Sequence, residues 1–74
     1  MIKDLEVVAL TRPMPEHGLA IGDVGTVVMV YDGGKGFTVE FMAVKGKTIA
    51  VVTLDADAIR PVEEREIANA RQVA

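Results

Sequence analysis

The 74-residue chain has no cysteine, no serine and no tryptophan, and only one histidine. Without cysteine there is no thiolate nucleophile, no disulfide framework and no thiolate metal site. Without serine the familiar Ser-His-Asp constellation is excluded, and a threonine nucleophile needs a special setting. One histidine and no cysteine cannot build a closed structural zinc site. Aromatics are scarce as well: Tyr31, Phe37 and Phe41 are the whole set. The core must therefore come from Val, Ile, Leu, Met and Ala, and half of the residues are hydrophobic. No apolar run approaches the ~20 residues of a membrane-spanning helix. The opening Met-Ile-Lys-Asp-Leu-Glu has no apolar stretch of the kind that marks a signal peptide. The expectation is a soluble cytoplasmic protein that needs no cofactor and no membrane.

Positive charge is also in short supply. Eight Lys and Arg face eleven Asp and Glu, for a net charge of −3. Phosphate binding needs clustered cations that release counterions. Here the densest group is Lys45 and Lys47 around Gly46, with Lys35 as a third contributor. A KOW-like nucleic-acid-binding barrel is the alternative reading, and the overall field opposes it.

What the chain does have is β periodicity. Residues 6–11 form a first strand, with Leu5, Val7 and Ala9 as the inward set and Val8 and Leu10 as the rival set. Residues 12–23 are a loop, because Pro13 and Pro15 cannot donate to a ladder. Within it, Glu16-His17-Gly18 reads as one helical turn stopped by glycine. Leu19 and Ile21 are expected to fold back over the end of the sheet. Gly22-Asp23 turns into a long strand at 24–32, entered through Gly25. Asp32-Gly33-Gly34 is a hairpin signal. In residues 36–42, Phe37, Val39 and Phe41 alternate with Thr38, Glu40 and Met42. A second hairpin turns on Gly46, and residues 48–54 are again β-branched and apolar. Residues 55–58 read as a short helical or 3₁₀ turn. A last strand at 59–62 is confined to an edge by Pro61.

Residues 63–74 change character. They lack glycine, open with Glu63 and Glu64, and place Ile67, Ala70 and Ala74 on one helical face. A C-terminal helical tail is expected, marginal by itself at about a dozen residues. The chain thus divides into a five-stranded barrel at 1–62 and a tail at 63–74. Its fold class is all-β: a small five-stranded SH3-like barrel with a short C-terminal helix.

Several segments in order carry a family resemblance: Asp4-Leu5-Glu6-Val7-Val8-Ala9-Leu10-Thr11, Pro15-Glu16-His17-Gly18-Leu19, Gly22-Asp23-Val24-Gly25-Thr26-Val27-Val28, Ala50-Val51-Val52-Thr53-Leu54 and Ile59-Arg60-Pro61-Val62. Together they resemble the bacterial domain-of-unknown-function family 4926, short proteins of SH3-like type, over roughly residues 1–62. The resemblance implies a fold and no assigned activity, so no functional residue is inherited from it. Members look like small stand-alone partners encoded beside other genes, which implies an antitoxin-like or accessory role. The tail lies beyond the family's usual end.

Candidate sites are few. His17 as a catalytic base lacks a nucleophile, and its turn position beside Gly18 accounts for it. Asp32, Asp55 and Asp57 are too sparse for a calcium loop. Gly33-Gly34-Lys35-Gly36 sits between two strands and is a hairpin, not a phosphate loop. The residues with a contact role to offer are Pro13, Met14, Pro15, His17 and Leu19 of the first loop, with Tyr31 as the exposed aromatic. Met14 is adaptable, and flanking prolines lower the entropy lost on binding. The functional expectation is a non-enzymatic protein-interaction module with an unidentified protein partner. Self-pairing of exposed strand edges into a homodimer is a further expectation.

Overall fold

The computed structural model describes residues 2–73. Five antiparallel strands form one sheet: β1 (Val7–Leu10), β2 (Val24–Tyr31), β3 (Gly36–Met42), β4 (Thr48–Asp55) and β5 (Ile59–Pro61). Their order across the sheet is β4-β3-β2-β1-β5. Two 3₁₀ turns, Pro15–His17 and Ala56–Ala58, complete the regular structure.

The alternation of β3 sets the interior. Phe37, Val39 and Phe41 are all buried. They pair with Leu54, Val52 and Ala50 of β4, so one face of both strands lines the core. Val27 of β2 lies opposite Val39, and Val8 of β1 opposite Gly25. The sheet curls around this core, and the radius of gyration of 11.5 Å is near the ~11 Å expected for a globule of this length.

Gly25 is required by this curl. A Cβ there would sit 2.6 Å from Val39 Cγ1 and 2.9 Å from both the Glu40 carbonyl oxygen and Phe41 Cδ1. Only a residue without a side chain lets β3 cross β2 so closely. Beyond it, a bulge between Val27 and Met29 shifts the β2–β3 register. The bulge carries Met29 to the outer face and returns Val30 to the inner one, opposite Phe37.

The first strand corrects one expectation. Val8 and Leu10 point inward with Ala9 buried on the other face, whereas Leu5 and Val7 are exposed. The pairing of Val8 with buried Gly25 decides the face, and Leu5 leaves the strand with a left-handed backbone, φ 67°. A uniformly apolar Val-Val-Ala-Leu run carries no alternation from which to read a face.

Two further expectations are corrected. The sheet does not close into a barrel: β4 and β5 stand at opposite edges and are not paired. A three-residue β5 ending in Pro61 already pairs with β1, which leaves it little backbone for a second ladder. The tail is also not helical. The Glu66 N–H donates to the Glu63 carbonyl (3.2 Å), which makes a single turn, and no helix follows through residue 73.

Candidate functional site

The loop after β1 is closed on itself. Met14 N–H donates to the Leu19 carbonyl (2.9 Å), and Leu19 N–H returns to the Met14 carbonyl (3.1 Å). Between them Pro15–His17 makes a 3₁₀ turn, stopped by Gly18 in the left-handed region at φ 71°. This closure turns Leu19 into the core and packs half-buried Met14 against it. Pro13, Pro15 and His17 stay on the surface. The loop therefore spends its two apolar side chains on its own core.

Tyr31 lies at the far end of β2, roughly 23 Å along the strand from the end the loop feeds. Its hydroxyl is 2.9 Å from Thr38 Oγ1, which is 2.9 Å from Thr53 Oγ1. Tyr31 thus belongs to a hydroxyl chain across the outer faces of β2, β3 and β4. Lys35 is likewise apart from Lys45 and Lys47: the first lies in the β2–β3 turn, the others in the β3–β4 turn, with all of β3 between them.

Residues far apart in sequence do converge elsewhere. Leu19, Ile21 and Val24 form one bank of a groove, and Phe41, Met42 and Val44 form the other. His17 lies at its margin, and Lys45 and Lys47 line its basic end. Its volume of about 1270 Å³ exceeds the ~300–1,000 Å³ of a typical small-molecule site. Val44 is 94% exposed at the β3–β4 turn, and Ile21, just before β2, is 65% exposed. Ile21 was visible in the sequence as an apolar residue in a polar loop. Val44 had a comparable signal, an apolar side chain directly before Lys45-Gly46 of the second turn.

Residues 67–73 of the tail also line this groove, and the tail is held by polar clips. Arg71 Nε donates to Asp23 Oδ1 (2.9 Å), its Nη2 donates to Asp23 Oδ2, and Nη2 also reaches the Gly18 carbonyl (3.0 Å). Asp23 accepts Ala20 N–H at 2.8 Å while its own N–H donates to the Ala20 carbonyl (3.0 Å), so the clip lands on a pre-formed turn. The Arg71 guanidinium holds the Asp23 carboxyl below the usual range against the opposing effect of burial, with a lesser contribution from Ala20 N–H. Upstream, Arg60 grips Glu66 with two bonds of 2.7 and 2.6 Å, and Glu66 also accepts Glu63 N–H at 2.6 Å. Arg60 first, then Glu63 N–H, pulls the Glu66 carboxyl down to about 2. Between the clips Ile67 is 91% exposed.

Asp57 faces Arg12 at 3.9 Å, and its carbonyl accepts the Thr11 hydroxyl at 2.7 Å, which pins the second 3₁₀ turn to the end of β1. Among the described residues no three His, Asp or Glu side chains gather as metal donors, and no helix is long and apolar enough to cross a membrane.

A curled antiparallel sheet of five strands with an open apolar groove at one end is the class of protein that these features define. The chain belongs to the family described as a domain of unknown function (DUF4926), whose model matches residues 5–61. The match ends at the last residue of β5, so the clipped tail lies outside it. No curated protein and no solved structure matches the chain.

Proposed function

We propose that this chain is a non-enzymatic protein-interaction module, a curled sheet of SH3-like type acting as a small antitoxin-like or accessory partner of a neighbouring gene product. One observation carries the reading: a groove lined by apolar side chains, exposed at Ile21 and Val44, and bordered by a tail that Arg60 and Arg71 hold through carboxylates. Exposed apolar surface rimmed by polar groups is how protein-binding sites commonly present themselves. The fitting occupant is an apolar segment of the partner, with acidic residues where Lys45 and Lys47 border the groove. The SH3-like assignment is supported by the strand order and by the 3₁₀ turn that separates β4 from β5.

Co-expression with each neighbouring gene product, followed by size-exclusion chromatography, tests the proposal. Co-elution that is lost in Ile21→Asp and Val44→Asp variants is the expected result. Separate elution from every neighbour, or co-elution that both variants leave intact, overturns it. The nucleic-acid alternative has only Lys45 and Lys47 in its favour, and a gel shift at low salt reads it directly.

A further inference from the structure

Charge is distributed unevenly around the groove. Three of the eight Lys and Arg line it, namely Lys45, Lys47 and Arg71, against one of the eleven Asp and Glu, Asp23. A chain of net charge −3 therefore keeps all but one of its side-chain carboxylates out of this groove. The exception is cancelled by the tail. Arg71 donates from Nε to Asp23 Oδ1 at 2.9 Å and from Nη2 to Oδ2. Asp23 is not free to turn its charge out to water: its side chain is only 21% exposed, and Ala20 N–H holds Oδ2 at 2.8 Å. Without Arg71, a largely buried carboxylate would stand uncompensated in the groove wall. The family match stops at residue 61, so the cation that cancels Asp23 comes from a segment that the family model does not cover.

We infer that the groove selects an apolar segment that carries carboxylates, and that Arg71 is a specificity-determining residue for it. The inference rests on the reading of the groove as a protein-binding surface and adds which segments the groove admits. Apolar contact with Ile21, Met42 and Val44 is non-directional and does not tell one apolar segment from another. Discrimination falls to charge. Lys45 and Lys47 attract carboxylates of the segment, and Arg71 keeps Asp23 from repelling them. A segment carrying lysines meets the reverse, cations and no free carboxylate to pair with. Complementary charge of this kind decides which partner is accepted more than how tightly it is held. The net charge of the whole chain is negative, so the preference depends on these local cations and weakens with added salt.

Two capped synthetic peptides test this on the full chain: a run of leucines followed by a pair of glutamates, and the same run followed by a pair of lysines. Titration into nitrogen-15-labelled protein gives both affinities from the amide shifts, and the same spectra show that each variant is folded. The acidic peptide is expected to bind the parent about tenfold or more tightly than the basic one, with shifts at Met42, Val44 and residues 67–73. Arg71→Ala uncovers Asp23 and is expected to reduce that ratio about tenfold, and the double variant R71A/D23N to restore most of it. Both variants loosen the tail alike, so restoration reports the charge alone. A ratio unchanged in R71A, a ratio that D23N does not restore, or binding of neither peptide overturns the inference. Its failure is distinct from that of the proposed function. A neighbour that co-elutes through Ile21 and Val44 upholds that function with or without a preference for acid, and the peptide ratio stands with or without a co-eluting neighbour.

Discussion

The β2–β3–β4 meander and the tail at 63–73 are held by opposite means. The meander is bound by a continuous ladder with an apolar interior that includes Phe37, Val39, Phe41, Val52 and Leu54. The tail has no ladder; two arginines, Arg60 and Arg71, each fasten it through one carboxylate. Burial is non-directional and cumulative, whereas exposed ion pairs contribute little and are screened by salt. A chain built this way has a fixed body and a more loosely held strap, and the strap borders the surface best suited to a partner.

The largest effect that can sharpen this contrast is Phe41→Ala, which removes a buried ring from the centre of the meander. Its expected cost is about 3–5 kcal/mol, much of the stability of so small a domain. Urea denaturation reads it as a large drop in midpoint.

Next comes Gly25→Ala. The added methyl meets the Glu40 carbonyl oxygen at 2.9 Å, and the backbone there is already paired, so a loss of about 1–3 kcal/mol is expected. Gly36→Ala is the internal control: its Cβ would find nothing nearer than 3.6 Å, and its midpoint should move by no more than about 0.5 kcal/mol.

Arg71→Ala should move the global midpoint little, by about 1 kcal/mol, because the pair is only half-buried and ties the tail rather than the core. It should nevertheless make residues 63–73 markedly more sensitive to limited proteolysis than in the parent chain. If Arg71→Ala unfolded the sheet, the separation of body and strap would be wrong.

The smallest effect is in pH. Glu66 is depressed in the folded state to about 2, so its clip contributes fully above the ordinary carboxylate range. The contribution fades as pH falls through the folded value, because only then does the carboxylate protonate while still bound. Asp23 behaves in the same direction through Arg71. An NMR titration should show the Glu66 carboxyl titrating at about 2 in the parent and shifted upward toward the ordinary glutamate range in Arg60→Ala, with Glu63 N–H retaining part of the depression.

The meander was legible because its local signals agree with its tertiary role. Phe37, Val39 and Phe41 alternate, Gly33 and Gly46 mark the turns, and Pro61 marks an edge. The face of β1 was not legible, since four apolar residues in a row fit either face and the decision came from Gly25, sixteen residues beyond Ala9. The tail misled for a related reason. Glu63, Glu64 and the Ile67/Ala70/Ala74 spacing favour a helix locally, but so short a helix must repay a costly nucleus with little apolar surface. Arg71 instead reaches Asp23, forty-eight positions away. Of the residues expected to meet a partner, His17 and Leu19 border the groove, Met14 packs inward, Pro13 and Pro15 stay exposed, and Tyr31 lies elsewhere. Val44 escaped notice because its relation to Ile21 exists only once β2 and β3 are paired.

Residue-resolved amide hydrogen exchange on the full chain tests the account most directly. It predicts strong protection at Val39 and Val52 and exchange close to the unprotected rate through residues 67–73. A consecutive run of protected amides across residues 66–73, or protection there equal to that of β3, would contradict it.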